Sequence, residues 1–472
     1  MLVRKGRVLA ILPIVVLIII LSGLLPSFAG AGEVKLEVLP EEITLYLPQV
    51  PGRKYEVTSF SHPMKVVVDV NQPLLGMAEV LAIDDVALAR MRYSQEESGA
   101  ARLVLDFKYQ LPAPLLEEEG QFLKLTVMKK FVQASERFVT TGVTYGHQRR
   151  GDSFGPNIVN YLEIQTRFTG IQVKLGLAQD KVLGSEFVSD IALRHKAIAA
   201  VNGAFFASSG LPLGVFMIDG ELISEPYAKR TALGLGPRLA VMDHLDLEAK
   251  ILFEEGSLEI TGLNRPRGEN DLILYTPFYG KTTRTNEFGL ELTVIEGQVT
   301  ALQKGASEIP SAGVVLSGHG LSKRVLETLD VGDQIQIITE LDPKWDDLGV
   351  QQIIGGGPRL VKNGEIFLTG KEEKFQNDVL VGRAPRTALG ITADGKLLLV
   401  TVNGRKPNIS VGMSLEELAD LLLELGAVEA MNLDGGGSTT MVIRDLVLNL
   451  PSDGKERPVS NAILIIAPEG RR

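Results

Sequence analysis

The pentapeptide Arg230-Thr231-Ala232-Leu233-Gly234 recurs letter for letter as Arg386-Thr387-Ala388-Leu389-Gly390. A repeat constrains the fold strongly, because each copy must bury the same face against an equivalent neighbour. Each copy follows a tight-turn dipeptide, Asp219-Gly220 in the first and Asn363-Gly364 in the second, set between apolar runs as in a β-hairpin. Upstream of each hairpin the pattern predicts a helix, a strand and a glycine-containing turn. These fall at about 187–195, 197–201 and Asn202-Gly203, then at about 321–329, 334–340 and Gly355-Gly356-Gly357. A third, partial pass begins where Ser414 and Glu417 form a capping box. Leu415, Leu418, Leu422 and Leu425 keep the helical period, and Gly426 stops it. The strand Val428–Leu433 then runs into Asp434. These passes predict an α/β domain, with a mixed α+β sheet built from pseudo-repeats, over residues 140–470. Its turns should gather at one end of a sheet, where ligand sites on open sheets lie.

Ahead of it, residues 33–130 read as a small all-β domain. Val66–Val70 and Arg102–Phe107 are short apolar runs ending near an aspartate, each followed within a few residues by a proline. Such strands resemble those of AMIN-type domains, which implies attachment to the cell wall. Residues 1–29 read as a signal peptide or N-terminal anchor. Arg4, Lys5 and Arg7 precede an apolar run from Val8 to Leu25, and Ser27-Phe28-Ala29 supplies a cleavage site. Either form sets the chain outside the cytoplasm, secreted or on the outer face of the membrane. No cysteine occurs, so thiolate metal sites and cysteine nucleophiles are excluded. The net charge of −10 argues against nucleic acid as a partner, so any phosphate must be captured locally. The five histidines form no H-E-x-x-H pair, and there is no Walker A, G-x-G-x-x-G or G-x-S-x-G motif.

The sharpest chemical element is Asn432-Leu433-Asp434-Gly435-Gly436-Gly437-Ser438-Thr439-Thr440. An apolar strand delivers one carboxylate to its end, and Gly435, Gly436 and Gly437 let the backbone wrap closely around whatever lies there. Free N–H groups in such a turn make an anion nest, and Ser438 and Thr439 add hydroxyl donors. The plainer alternative is a packing turn in which Asp434 caps amides. Arg386 is a bidentate partner for phosphate, and its strand leads to a second one ending at Asn403-Gly404-Arg405. Asn202, at a strand end before Phe205 and Phe206, can bond a sugar hydroxyl or simply hold a turn. Arg457 and Asn461 flank the last strand and can reach the same place or be ordinary loop residues.

In this order these elements resemble the phosphodiester glycosidase family. The matching stretches are Val201–Phe206, Gly214–Ile223, Pro385–Ile391, Ser410–Leu418 and Asn432–Met441, with Arg457-Pro458-Val459-Ser460-Asn461 beyond them. The resemblance implies hydrolysis of the C1–O bond of a sugar-1-phosphodiester, the substrate being a cell-wall or exopolysaccharide phosphoglycan. It implies that Asp434, Asn202 and Arg386 are catalytic, with Gly435–Gly437, Ser438, Thr439, Arg405, Arg457 and Asn461 holding substrate and phosphate. Position 403 is Asn where relatives carry aspartate, so a second carboxylate is missing there. The pattern assigns no definite cofactor, and Asp434 could take a divalent cation such as calcium in a metal-dependent phosphodiesterase. A non-catalytic wall-polymer binder is the remaining alternative.

Overall fold

The core strands of the first compact unit turn alternate residues inward, whereas the central strands of the second are buried along their whole length. The computed structural model describes residues 17–19 and 33–467, apart from 75, 76 and 238. The expected export segment therefore lies outside the described residues except for the short strand Leu17–Ile19. Among the described residues no helix is long and apolar enough to cross a membrane. One unit comprises Met1–Gln133, Arg149–Pro156 and Pro407–Ile409; the other comprises Ala134–Gln148, Asn157–Lys406 and Ser410–Arg472.

The first unit contains two five-stranded antiparallel sheets. In Met64–Val70 every second residue, Val66, Val68 and Val70, is buried. They share one core with Leu103 and Leu105 of Ala101–Phe107, Ile43, Leu45 and Leu47 of Glu42–Pro48, and Leu125 and Val127 of Phe122–Met128. The period of two thus turns one face of each sheet inward. The aspartates noticed in sequence sit on the other face. Asp69 accepts from Arg102 directly opposite at 2.6 Å, and Asp106 accepts from Arg90 and Arg92. Such exposed pairs fix register more than they stabilise.

The second unit departs from the α/β expectation: it is β-rich. Among the described residues the longest α-helix, Leu415–Glu424, has ten residues. All the described strand pairings are antiparallel except that of Gly262–Leu263 with Leu272–Tyr275. Antiparallel neighbours need only a turn between them, whereas a parallel sheet would require crossover helices. An eight-stranded sheet includes, in order, Gly155–Ile164, Leu397–Val402, Arg386–Thr392, Ala427–Asn432, Arg359–Lys362 and Glu365–Ile366. One of its faces packs Leu398, Val400 and Ala388 under Leu415, Leu418 and Leu422 of the helix. The other packs Leu162, Leu389, Leu399 and Met431 against two five-stranded sheets. The capping box forms as expected, with Ser414 Oγ accepting from Glu417 N at 3.2 Å and Ser414 N donating to the Glu417 carboxylate at 2.9 Å. Gly426 ends the helix at φ +89°. Ser414→Ala should cost about 1 kcal/mol, read as a lower urea midpoint.

The repeat is present, though in a different form from the one expected. One five-stranded sheet runs Glu221–Ser224, Phe216–Ile218, Gln352–Gly355, Thr231–Gly236, Leu239–His244. In each sheet a hairpin, a central strand ending in glycines and the Arg-Thr-Ala-Leu-Gly strand lie side by side in the same order. Both hairpin turns have two residues at positive φ (Asp219 and Gly220, Asn363 and Gly364), as a type I′ turn requires. The helix and strand assigned to the second pass lie elsewhere. Gly320–Leu326 packs on its own small core, and Gln336–Asp342 pairs with Asp246–Phe253. The counterpart of Gly355–Gly357 is thus Gly435–Gly437, not Asn202-Gly203.

Candidate active site at the end of the Ala427–Asn432 strand

Leu433 is buried in the central core, and this fixes the place from which the chain turns outward at Asp434. Asp434 N donates to Gly203 O at 3.2 Å, and Asn202 Nδ2 donates to Asp434 O at 2.6 Å. Glycine suits all three following positions, each for its own reason. A Cβ on Gly435 would stand 2.8 Å from Pro385 O, Gly436 has φ +61°, and a Cβ on Gly437 would collide with the Arg457 guanidinium. The expected anion nest is largely filled by the protein itself. Gly436 N donates to Pro385 O at 2.9 Å, Ser438 N to Gly435 O at 3.2 Å, and Gly435 N to the Asp434 carboxylate. The turn needs these amides to hold its own shape, so they do not remain for an anion.

The Asp434 carboxylate is half-buried. Desolvation pushes its pKa up to about 6, against the opposing pull of the Ser438 hydroxyl, the Gly435 amide and the Arg457 charge. Two guanidinium groups border the turn. Arg405, at φ +62° and exposed, places Nη2 3.1 Å from where a Cβ of Gly436 would lie. Arg457 donates to Asp453 through Nε at 2.9 Å, and the pair lies over Gly437. Asp453, to which the sequence assigned no role, is thus a second carboxylate at the turn. Burial raises its pKa, but the Arg457 contact outweighs this and holds it below the usual range. Asn403 itself is buried and accepts from Leu450 N at 3.1 Å.

Three expected site residues serve the framework instead. Asn202 is buried; besides the bond to Asp434 O, its Oδ1 accepts from Thr387 Oγ1 at 2.8 Å and from Thr440 N at 3.0 Å. Asn461 is buried and accepts from Ala204 N at 2.7 Å, tying the Asn202–Ala204 turn to the last strand. Arg386 is buried and donates to the carbonyls of Met413, Val379 and Gly382 at 2.9, 3.0 and 3.2 Å. Desolvation and the nearby Arg405 lower its pKa to about 10. The donors of Arg386 are thus taken by the protein itself, whereas Arg405 is exposed at the turn. Ser438 bonds the Asp434 carboxylate, whereas among the described residues Thr439 Oγ1 is buried without a partner. The sequence reading also missed Thr387 as the hydroxyl that orients Asn202, although its place in the repeated pentapeptide was a usable signal. Among the described residues no group of three or more His, Asp or Glu side chains could hold a metal ion, so a calcium ion at Asp434 would need backbone and hydroxyl oxygens as well. A cavity of about 460 Å³ lies elsewhere, lined by Arg167, Phe168, Lys174 and Gln352.

The fold is shared with a hypothetical protein from Synechocystis, at a TM-score of 0.66 and 23% identity over 90% of this chain and 78% of that one. Residues 289–466 match the family model described as phosphodiester glycosidase. The N-acetylglucosamine-1-phosphodiester alpha-N-acetylglucosaminidases of Bos taurus and Homo sapiens are each 34% identical over 115 residues, 22% of this chain and 21% of theirs. An SPbeta prophage-derived uncharacterized protein of Bacillus subtilis is 38% identical over 85 residues, 18% of this chain and 13% of its own. The chain thus spans about a fifth or less of the length of these relatives.

Proposed function

We propose that the chain is an extracytoplasmic hydrolase that breaks the C1–O bond of a sugar-1-phosphodiester in a cell-wall or exopolysaccharide phosphoglycan. The observation that carries this reading is the Asp434 carboxylate. It sits half-buried beside Ser438, with Arg457 close enough to act on its charge and Arg405 across the same turn. The family match over residues 289–466 includes all four residues. Arg405 and Arg457 hold the phosphate, which is already a competent leaving group and needs little protonation. Asp434 then acts in its ionised form, activating water or stabilising positive charge at C1. The resemblance of residues 33–130 to AMIN-type domains supports retention at the cell wall, and the basic–apolar run at residues 1–29 supports export.

Incubation with UDP-sugars and sugar-1-phosphate diesters in H₂¹⁸O tests the reaction. Label at C1 of the free sugar is the expected result. Label in phosphate would establish phosphodiesterase chemistry, and saturable wall-polymer binding without turnover would establish a binder. The pH profile follows from the role of Asp434. Because the ionised form acts, kcat/KM should rise about tenfold per pH unit below about pH 6 and level off above it. A profile that falls through pH 6 would instead make Asp434 a proton donor.

A further inference from the structure

The two arginines of the repeated pentapeptide occupy equivalent places and are used in opposite ways. Arg386 gives its donors to three carbonyls. Arg230, half-buried, has no hydrogen-bond or ion-pair partner among the described residues, and its Nε is buried without an acceptor. What holds Arg230 is aromatic. Its guanidinium carbon lies 3.9 Å from the ring centre of Phe375, 4.8 Å from that of Tyr227 and 5.7 Å from that of Phe205. Rings attract a guanidinium at their faces but do not satisfy its in-plane N–H groups, the fork that suits phosphate or carboxylate oxygens. Only Nε is buried without an acceptor, while the two Nη groups stay open to solvent or to the oxygens of a ligand. Desolvation accordingly lowers the pKa of Arg230 from its ordinary value.

The nearby carboxylate cannot fill that role. Glu373 is wholly buried, and its oxygens accept from Thr231 N at 3.1 Å, Thr231 Oγ1 at 2.7 Å, Arg359 N at 3.0 Å and Thr369 Oγ1. It is packed so closely on Gly357 that a Cβ there would collide with it. Glu373 therefore closes the first glycine turn; its charge offsets that of Arg230 in part but leaves the guanidinium fork unoccupied. The platform also adjoins the acid. Gly203 O accepts from Asp434 N, and Phe205 stands two residues further on, at most about 7 Å along the chain. The Phe205 ring in turn lies 5.3 Å from that of Phe375.

We propose that Arg230, held on Phe205, Tyr227 and Phe375, binds a phosphate oxyanion of the ligand at the edge of the Asp434 site. This rests on the reading that the site takes a phosphate-bearing sugar. The test is calorimetric titration of the full chain at low ionic strength, first with inorganic phosphate and then with N-acetylglucosamine 1-phosphate. It is run in an Arg405→Gln/Arg457→Gln background, so that the remaining phosphate binding reports Arg230. Adding Arg230→Gln should weaken that binding by about tenfold or more, and Phe375→Leu, which keeps the charge and removes the nearest ring, by about threefold or more. If Arg230→Gln does not fold, Phe375→Leu decides. Weaker binding of both ligands supports the proposal: a larger loss with the sugar phosphate assigns the site to a phosphoglycan, and an equal loss assigns it to phosphate itself. Phosphate affinity within twofold of the background, or no phosphate binding in that background, overturns it. Because the readout is binding, a chain inactive on sugar phosphodiesters would sink the proposed function alone. An active chain indifferent to Arg230→Gln would sink only this inference.

Discussion

Asp434→Asn should lower kcat by about 10²–10⁴-fold and yet make the protein more stable at neutral pH. The two effects share one cause. Burial raises the carboxyl pKa to about 6, from an ordinary value of 3.8. A group whose pKa is higher in the folded state contributes stability fully below its ordinary value, and that contribution is lost as pH rises through the folded value. At pH 8 the native protein therefore carries the cost of an ionised group in a partly desolvated place, which the uncharged amide of nearly the same shape avoids. The gain for the variant should be about 1–3 kcal/mol at pH 8 and should vanish near pH 4. Urea denaturation at the two pH values measures it. A stability difference independent of pH would show that the carboxylate is not held in this way, and full activity in the folded variant would remove Asp434 from the chemistry.

Asn202→Ala should show the opposite pattern, a loss of stability of about 2–4 kcal/mol with any loss of activity following from it. The Asn202 amide joins Asp434 O, Thr387 Oγ1 and Thr440 N, and the residue is 1% exposed. Truncation would leave three buried polar groups unmatched, each worth of the order of 1 kcal/mol. The thermal midpoint and the activity of the surviving folded fraction should be measured together. An unchanged midpoint with lost turnover would return Asn202 to the catalytic role implied by the family resemblance.

These outcomes reflect what the sequence could carry. The Ser414–Gly426 helix was legible because capping, apolar period and stop signal are all local. The Asp-Gly and Asn-Gly hairpins and the strand entering Asp434 were legible for the same reason. The sheet pairings were not. Nothing local to Gln336–Asp342 says that it pairs with Asp246–Phe253 rather than repeating the first pass. Local pattern located the strand of Arg386 but not the carbonyls of Val379, Gly382 and Met413 that take up its guanidinium. Arg230 and Arg386 are identical in their local sequence, so only the three-dimensional surroundings separate them. The glycine run was read correctly as a close approach of backbone, while the approaching group turned out to be the protein's own arginine and carbonyl.

The doubled arrangement of strands also has a mechanical consequence. Gly357 N donates to Asn432 O at 2.8 Å, and Gly356 packs against the same carbonyl, so the two glycine-ended strands abut. The acid is therefore aimed by a seam between two sheets rather than by one rigid element. A ligand touching both sides of the seam acts as a brace, and occupancy and stiffness become two readings of a single equilibrium.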